Sequence, residues 1–196
     1  MKKVIRKGVL MIGILTTIAS YANKVSYTST TNNIKKTTLT LNNVKQGHKL
    51  KIIDANGTVL YKEQIKISGE YSKGFDLTML PNGNYIFELD KDVEIKSIPF
   101  KVMSNEVVFD KKSESSVFKP VVFKKGERIY ISRYSIDENP LECKIYYEDN
   151  VDYISSEKFK DTKYAGKVYD FSKARKGNYK FVFKTEGRVF TQNVRV

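Results

Sequence analysis

The chain has 196 residues, with 35 Lys and Arg against 22 Asp and Glu, a formal net charge of +13. A single His and a single Cys leave no partners for a His/Cys metal centre, a Cys–His nucleophile pair or an intrachain disulfide framework. A hydrophobic fraction of 40% with 11 Gly and 4 Pro is globular, not disordered or collagen-like.

Residues 1–22 read as a secretory signal peptide. Lys2, Lys3, Arg6 and Lys7 form a basic start, Val9 to Ala19 an apolar run, and Ser20-Tyr21-Ala22 a small-residue cleavage site before Asn23. The alternative is an uncleaved anchor, for which the apolar run is short against the ~20 residues a membrane span needs. No Cys follows the run, which excludes lipoprotein attachment. Without those four cations the charge is +9, of which +7 falls in residues 111–196 together with all five remaining Arg.

His48 follows Gly47 on the approach to a strand and reads as a surface strand residue. Lys49–Tyr61 reads as two strands around Asp54-Ala-Asn-Gly57, where Asn and Gly supply the positive φ of a tight hairpin. Pro81-Asn-Gly83 turns the chain into a strand in which Tyr85, Phe87 and Leu89 alternate with their neighbours. Residues 104–116 have a polar Lys-Ser-Glu-Ser core and read as a linker, although Val107-Val108-Phe109 has the composition of a strand.

In the second half, Lys124-Lys125-Gly126-Glu127-Arg128 forms a basic cluster with Lys173, Arg175 and Lys176, suited to an anionic surface. Cys143 shares strand parity with Leu141 and Ile145, which predicts a buried, inert thiol. Tyr147 and Tyr153 flank the acidic run Glu148-Asp149-Asn150-Val151-Asp152 and are expected to be exposed. That run lacks the turn Gly and distal Glu of a calcium loop and reads as a solvated hairpin loop, so no metal is expected. The dense tyrosines, Tyr130, Tyr134, Tyr146, Tyr164 and Tyr169 among them, suit either strand packing or a stacking platform. Tyr179, Phe181 and Phe183 alternate along a strand, and Thr185-Glu-Gly187 turns into a last strand with Phe190, Val194 and Val196 facing inward.

The two halves repeat each other. At an offset of 94, Leu80–Leu89 matches Ala174–Phe183 through a shared Gly-Asn-Tyr, and Phe75-Asp-Leu77 matches Tyr169-Asp-Phe171. Phe100-Lys-Val102 likewise matches Val194-Arg-Val196. No segment holds a helical period. The expected fold is all-β: two tandem antiparallel Ig-like β-sandwich domains after the signal peptide. They cover residues 23–103 and 117–196, with 104–116 as linker.

Three blocks of the first copy carry a resemblance. They are Leu50-Lys-Ile-Ile-Asp-Ala-Asn-Gly-Thr-Val59, Phe75-Asp-Leu-Thr-Met-Leu-Pro-Asn-Gly-Asn-Tyr-Ile-Phe87 and Ile98-Pro-Phe-Lys-Val102. This copy resembles the C-terminal sorting domain of the type IX secretion system, an Ig-like sandwich. The resemblance implies a Gram-negative envelope or secreted location. The Pro-Asn-Pro entry of that family is missing, and the better match is the internal copy.

No paired carboxylates, Ser/His/Asp set or phosphate-cradling Gly loop stands out, so neither an enzyme nor a cofactor is expected. The expectation is an exported binding or scaffold protein of the cell envelope or the secreted fraction. The alternative is a type IX cargo whose C-terminal copy is the sorting signal. The candidate binding residues are Tyr147, Tyr153, Lys124, Lys125, Arg128 and Arg175. An acidic glycan, another envelope component or a protein is the expected partner, and export makes nucleic acid the weaker one.

Overall fold

The computed structural model describes residues 25–30, 36–148, 152–160 and 162–196; the expected signal peptide lies outside the described residues. The chain divides into two compact units between Ser116 and Val117. The first contains β1 (Val25–Thr30), β2 (Lys36–Val44), β3 (Lys49–Asp54), β4 (Val59–Gln64), β5 (Gly69–Phe75), β6 (Gly83–Asp90), β7 (Glu94–Met103) and β8 (Glu106–Phe109). β9 (Ser115–Phe118) crosses the division. The second contains β10 (Val121–Lys125), β11 (Arg128–Tyr134), β12 (Leu141–Tyr147), β13 (Asp152–Phe159), β14 (Tyr164–Asp170), β15 (Asn178–Thr185) and β16 (Arg188–Arg195).

Both units use one strand order. The first places β1-β2-β5 in one sheet and β4-β3-β6-β7 in the other. The second places β10-β11-β14 and β13-β12-β15-β16 in the same way. All of these pairs are antiparallel. The arrangement is that of an Ig-like sandwich, with inward side chains of the two sheets meeting in one core.

Alternation builds each core. Leu39 and Leu41 of β2 meet Leu50 and Ile52 of β3 and Phe87 and Leu89 of β6. Ile129 and Ile131 of β11 meet Cys143 and Ile145 of β12 and Phe181 and Phe183 of β15. The hairpin at Asp54-Ala-Asn-Gly57 forms as its sequence requires. Asp54 Oδ1 accepts the N–H groups of Asn56 (2.9 Å) and Thr58 (2.8 Å), and Gly57 takes φ +84°.

The expected linker at 104–116 is instead structural. Ser104 and Asn105 turn the chain at positive φ into β8, which pairs with β7 from Met103↔Glu106 to Phe100↔Phe109. Val107 and Phe109 pack on the first core, and this burial overrides the polar composition around them.

Two features of the repeat lie in its polar residues. Each unit ties the edge strands of its opposing sheets with one ion pair. Lys73 of β5 meets Glu63 of β4 at 2.5 Å, and Lys167 of β14 meets Glu157 of β13. Each lysine also lies over an aromatic ring of its own strand, Lys73 5.9 Å from Phe75 and Lys167 5.3 Å from Tyr169. The second core departs from the first at Arg133, which stands opposite Ala165 where Leu41 stands opposite Tyr71. The guanidinium is buried. It pairs with Glu186 and donates to the Asn139 carbonyl (2.7 Å) and to Ser135 Oγ (3.2 Å). Burial draws its pKa below the ordinary arginine value, and Glu186 opposes that shift.

Candidate functional site

The strongest site geometry lies at one end of the second unit, where the β10–β11 hairpin faces the turn after β14. Gly126 (φ +58°) allows the two-residue turn that carries Lys125 and Arg128 at the ends of paired strands. Phe171 donates its N–H to the Glu127 carbonyl (2.8 Å), which fixes the hairpin against the second turn. Between them lies a shallow, open cleft of about 500 Å³ lined by Lys125, Gly126, Glu127, Arg128, Tyr130, Asp170 and Ser172.

Charge at this end is predominantly positive. Lys125 and Arg128 line the cleft, Lys176 reaches Glu127 of its lining, and Lys124, Lys173 and Arg175 are exposed as well. The carboxylates are partly engaged. Glu127 meets Lys176 at 3.0 Å, and Asp170 accepts the Ser172 N–H at 2.9 Å. That backbone bond, with the Ser172 hydroxyl, holds the Asp170 carboxyl below its ordinary range. Glu148 accepts the Asn178 N–H at 3.1 Å. An aromatic pair borders the cleft: Phe123 and Tyr130 stack at 4.8 Å and 4° between planes, with Phe123 exposed. The chemistry on offer is anion capture by mobile ammonium and guanidinium groups beside a flat apolar face.

Of the residues singled out in the sequence, Lys125 and Arg128 line the cleft, whereas Lys124 pairs with inward-facing Ile129 and donates to the Arg195 carbonyl at 3.1 Å, and neither Lys124 nor Arg175 is among the lining residues. It corrects the reading of Tyr147, which is only 7% exposed and packs in the core against Tyr179 (5.1 Å). Its hydroxyl donates to the Lys176 carbonyl at 2.9 Å, and the Arg175 guanidinium lies 4.8 Å over its ring. Parity explains the change, because Tyr147 follows Leu141, Cys143 and Ile145 on the inward face of β12. Gly177 is shaped by the same ring: a Cβ there, at φ +147°, would meet the Tyr147 hydroxyl at 2.6 Å. Tyr153 is exposed on β13, with its ring edge-on to Tyr146 at 5.8 Å and apart from the cleft lining. Of the acidic run between them, Asp149, Asn150 and Val151 lie outside the described residues.

His48 is also corrected. It is 5% exposed, because it closes the loop between β2 and β3. Its Nδ1 accepts the Lys45 N–H (3.1 Å), which leaves the proton on Nε2, 3.6 Å from Asp92 Oδ1. Burial lowers its pKa, and Asp92 opposes the shift. Cys143 is fully buried, and burial pushes its thiol up to about 12.

Sequence reasoning missed Phe123, whose stack with Tyr130 borders the cleft, as well as Asp170 and Ser172. The alternation of Val121 and Phe123 was the available sign, since it sets Phe123 on the outer face of an edge strand.

Comparison with known proteins places one likeness on the first unit. Residues 29–102 match the secretion system C-terminal sorting domain family. The matched segment takes in most of the strands of the first unit, from β2 to β7. No curated protein matches the chain. Among solved structures it is similar to the BSP domain of a biofilm associated protein at 11% identity and a TM-score of 0.29, covering 81% of this chain and 27% of that one. It is similar to the FN1–FN3 domains of chicken CNTN1 at 10% and 0.31, covering 88% and 63%. It is also similar to the human OSCAR ligand-binding domain at 9% and 0.27, covering 89% and 97%. The chain thus spans about a quarter of the biofilm protein's length.

Proposed function

We propose that this chain is an exported, non-enzymatic binding or scaffold protein of the cell envelope or the secreted fraction. Its second unit takes an acidic glycan or other anionic envelope component at the cationic cleft lined by Lys125 and Arg128. Export is supported by the match of residues 29–102 to the sorting-domain family, which implies a secreted or cell-surface protein. The observation that carries the binding reading is the cleft between Lys125 and Arg128, with the Phe123–Tyr130 stack at its border. Cations there hold carboxylate or sulfate groups, and the flat ring pair receives an apolar sugar face. The test is binding of a polyuronate and of a neutral glucan of equal length to the wild type and to Lys125→Glu/Arg128→Glu. The wild type is expected to bind the polyuronate, and the double variant at least tenfold more weakly with its thermal midpoint unchanged. Equal binding by both proteins sinks the reading.

A second reading has its own support. The second unit repeats the strand order of the unit that matches the sorting-domain family. On this reading the protein is a type IX cargo and the second unit is its sorting signal, removed after transport.

A further inference from the structure

The outer faces of the two three-stranded sheets differ. Ile129, Ile131 and Arg133 of β11 are buried, so Arg128, Tyr130, Ser132 and Tyr134 turn outward. The register gives each of them its neighbours. Arg128 stands between Lys125 and Asp170, Tyr130 between Phe123 and Val168, and Ser132 between Val121 and Gly166. Tyr134 stands beside Tyr164. Along β11 the face therefore runs from a charged row to an aromatic row, then a row of small residues, then a second aromatic row.

Phe123 and Tyr130 stack flat, and two rows farther the Tyr134 and Tyr164 rings lie 5.1 Å apart at 38°. Phe118 meets Tyr134 edge-on at 5.0 Å. Tyr164 is 72% exposed and Phe123 40%, because the core of this unit lies on the opposite face of the sheet. Between the ring pairs the floor is low. Gly166 has no side chain, and the nearest atom to a Cβ there would be the Ile131 carbonyl oxygen, at 3.8 Å. Four residues of β11 separate Tyr130 from Tyr134, a span of about 14 Å. The first unit fills the matching places differently. Arg133 opposite Ala165 matches Leu41 opposite Tyr71, which aligns Tyr130 and Val168 with Thr38 and Gly74, and Ser132 and Gly166 with Thr40 and Ser72. There the Thr40 and Ser72 hydroxyls share a hydrogen bond at 3.1 Å. Small hydroxylated residues thus suffice for this sheet, and the rings of the second unit are an addition to its solvent face.

We propose that the Tyr134–Tyr164 pair is a second subsite continuous with the cleft, and that the ligand of the second unit is a linear acidic oligosaccharide laid along β11. The proposal rests on the anion-binding reading of the cleft. Lys125 and Arg128 hold an acid group at one end. The Phe123–Tyr130 stack receives the apolar face of the adjoining sugar, and the Tyr134–Tyr164 pair that of a sugar farther along. Between them the chain crosses Gly166, where a side chain would lift it off the sheet, and Ser132 offers a hydroxyl to its edge. The alternation of apolar and polar rows favours a glycan over a protein. A protein interface buries an apolar core within a polar rim. A sugar chain instead presents apolar ring faces and hydroxyl edges in turn, and the cations at one end match its carboxylates. A ligand that reaches both ring pairs is longer than a disaccharide.

The test measures binding of β-1,4-linked mannuronate oligomers, a disaccharide and a hexasaccharide, to the chain from Asn23 onward. Wild type is expected to bind the hexasaccharide at least tenfold more tightly than the disaccharide. Two variants probe the subsite: Tyr164→Ala removes an exposed ring, and Gly166→Gln fills the floor without adding charge. Each is expected to weaken the hexasaccharide at least fivefold and to leave the disaccharide and the thermal midpoint unchanged. Hexasaccharide binding that survives both substitutions but is lost in Lys125→Glu/Arg128→Glu overturns the second subsite and leaves the cleft reading intact. An equal loss of both oligomers in Tyr164→Ala also overturns it, because the ring then acts through the fold. No binding of either oligomer by the wild type overturns both readings and leaves the face to a partner of another class.

Discussion

Tyr85 and Tyr179 hold the same post in the two units. Each stands near the start of the central strand and donates its hydroxyl to the carbonyl four residues back, Tyr85 to Pro81 at 2.7 Å and Tyr179 to Arg175 at 2.8 Å. The bond pins the preceding turn to the core, in the manner of the tyrosine corner of Ig-like sandwiches. Tyr179 also places Arg175, and so shapes the cationic end through a core residue.

Removing either hydroxyl tests the equivalence. Tyr85→Phe and Tyr179→Phe keep the ring and lose the bond, each at a cost of about 1 kcal/mol. Chemical denaturation of the two single variants and the double should show similar, additive losses. A large loss at one position with none at the other contradicts the shared role.

The paired lysines give a second comparison. A double-mutant cycle on Lys167→Met and Glu157→Gln should return a coupling of about 1 kcal/mol, and the same cycle on Lys73 and Glu63 a similar one. The Lys73 hydrogen bond, helped by the Tyr61 hydroxyl, holds the Glu63 carboxyl below its ordinary range. A carboxyl with a depressed folded pKa stabilises the protein above its unfolded pKa and loses that contribution on acidification. Wild type should therefore lose stability below about pH 4.5 more steeply than Glu63→Gln.

The repeat was legible in the apolar alternation and in the Gly-Asn-Tyr strand, because a strand with one buried face writes its period into the sequence. The polar ties escaped, although Glu63 and Lys73 sit 94 residues before Glu157 and Lys167. Their partners lie on opposite sheets, and no local pattern reports that. Burial of Tyr147 was readable from parity with Cys143, but the neighbouring acidic run pointed to solvent. His48 was misread because the bond from Lys45 that draws its ring inward belongs to loop geometry. The cationic end was half legible: Lys124, Lys125 and Arg128 are adjacent in sequence, whereas Asp170 and Ser172 reach the cleft only through the fold.

His48 sets a pH dependence near neutrality. Its folded pKa lies below 6.5, so the unfolded chain takes up the proton first. Stability is full above about pH 6.5 and falls as pH drops toward the folded value. Thermal midpoints between pH 7 and 5 should decline in the wild type and flatten in that window for His48→Gln. An unchanged slope in the variant assigns the decline to other groups.

Cys143 should behave as core. With its thiol pushed up to about 12 and no exposed surface, it should resist thiol reagents in the native state and react stoichiometrically in denaturant. Rapid native labelling contradicts the closed second core.

The most direct test of the account is the intact mass of the native protein in the periplasm, the outer membrane and the culture medium. The account predicts one species, beginning at Asn23 and retaining the second unit through Val196, in an envelope fraction or the medium. A surface or medium species lacking residues 117–196 contradicts it, because the second unit is then a sorting signal lost in transport rather than the part that binds.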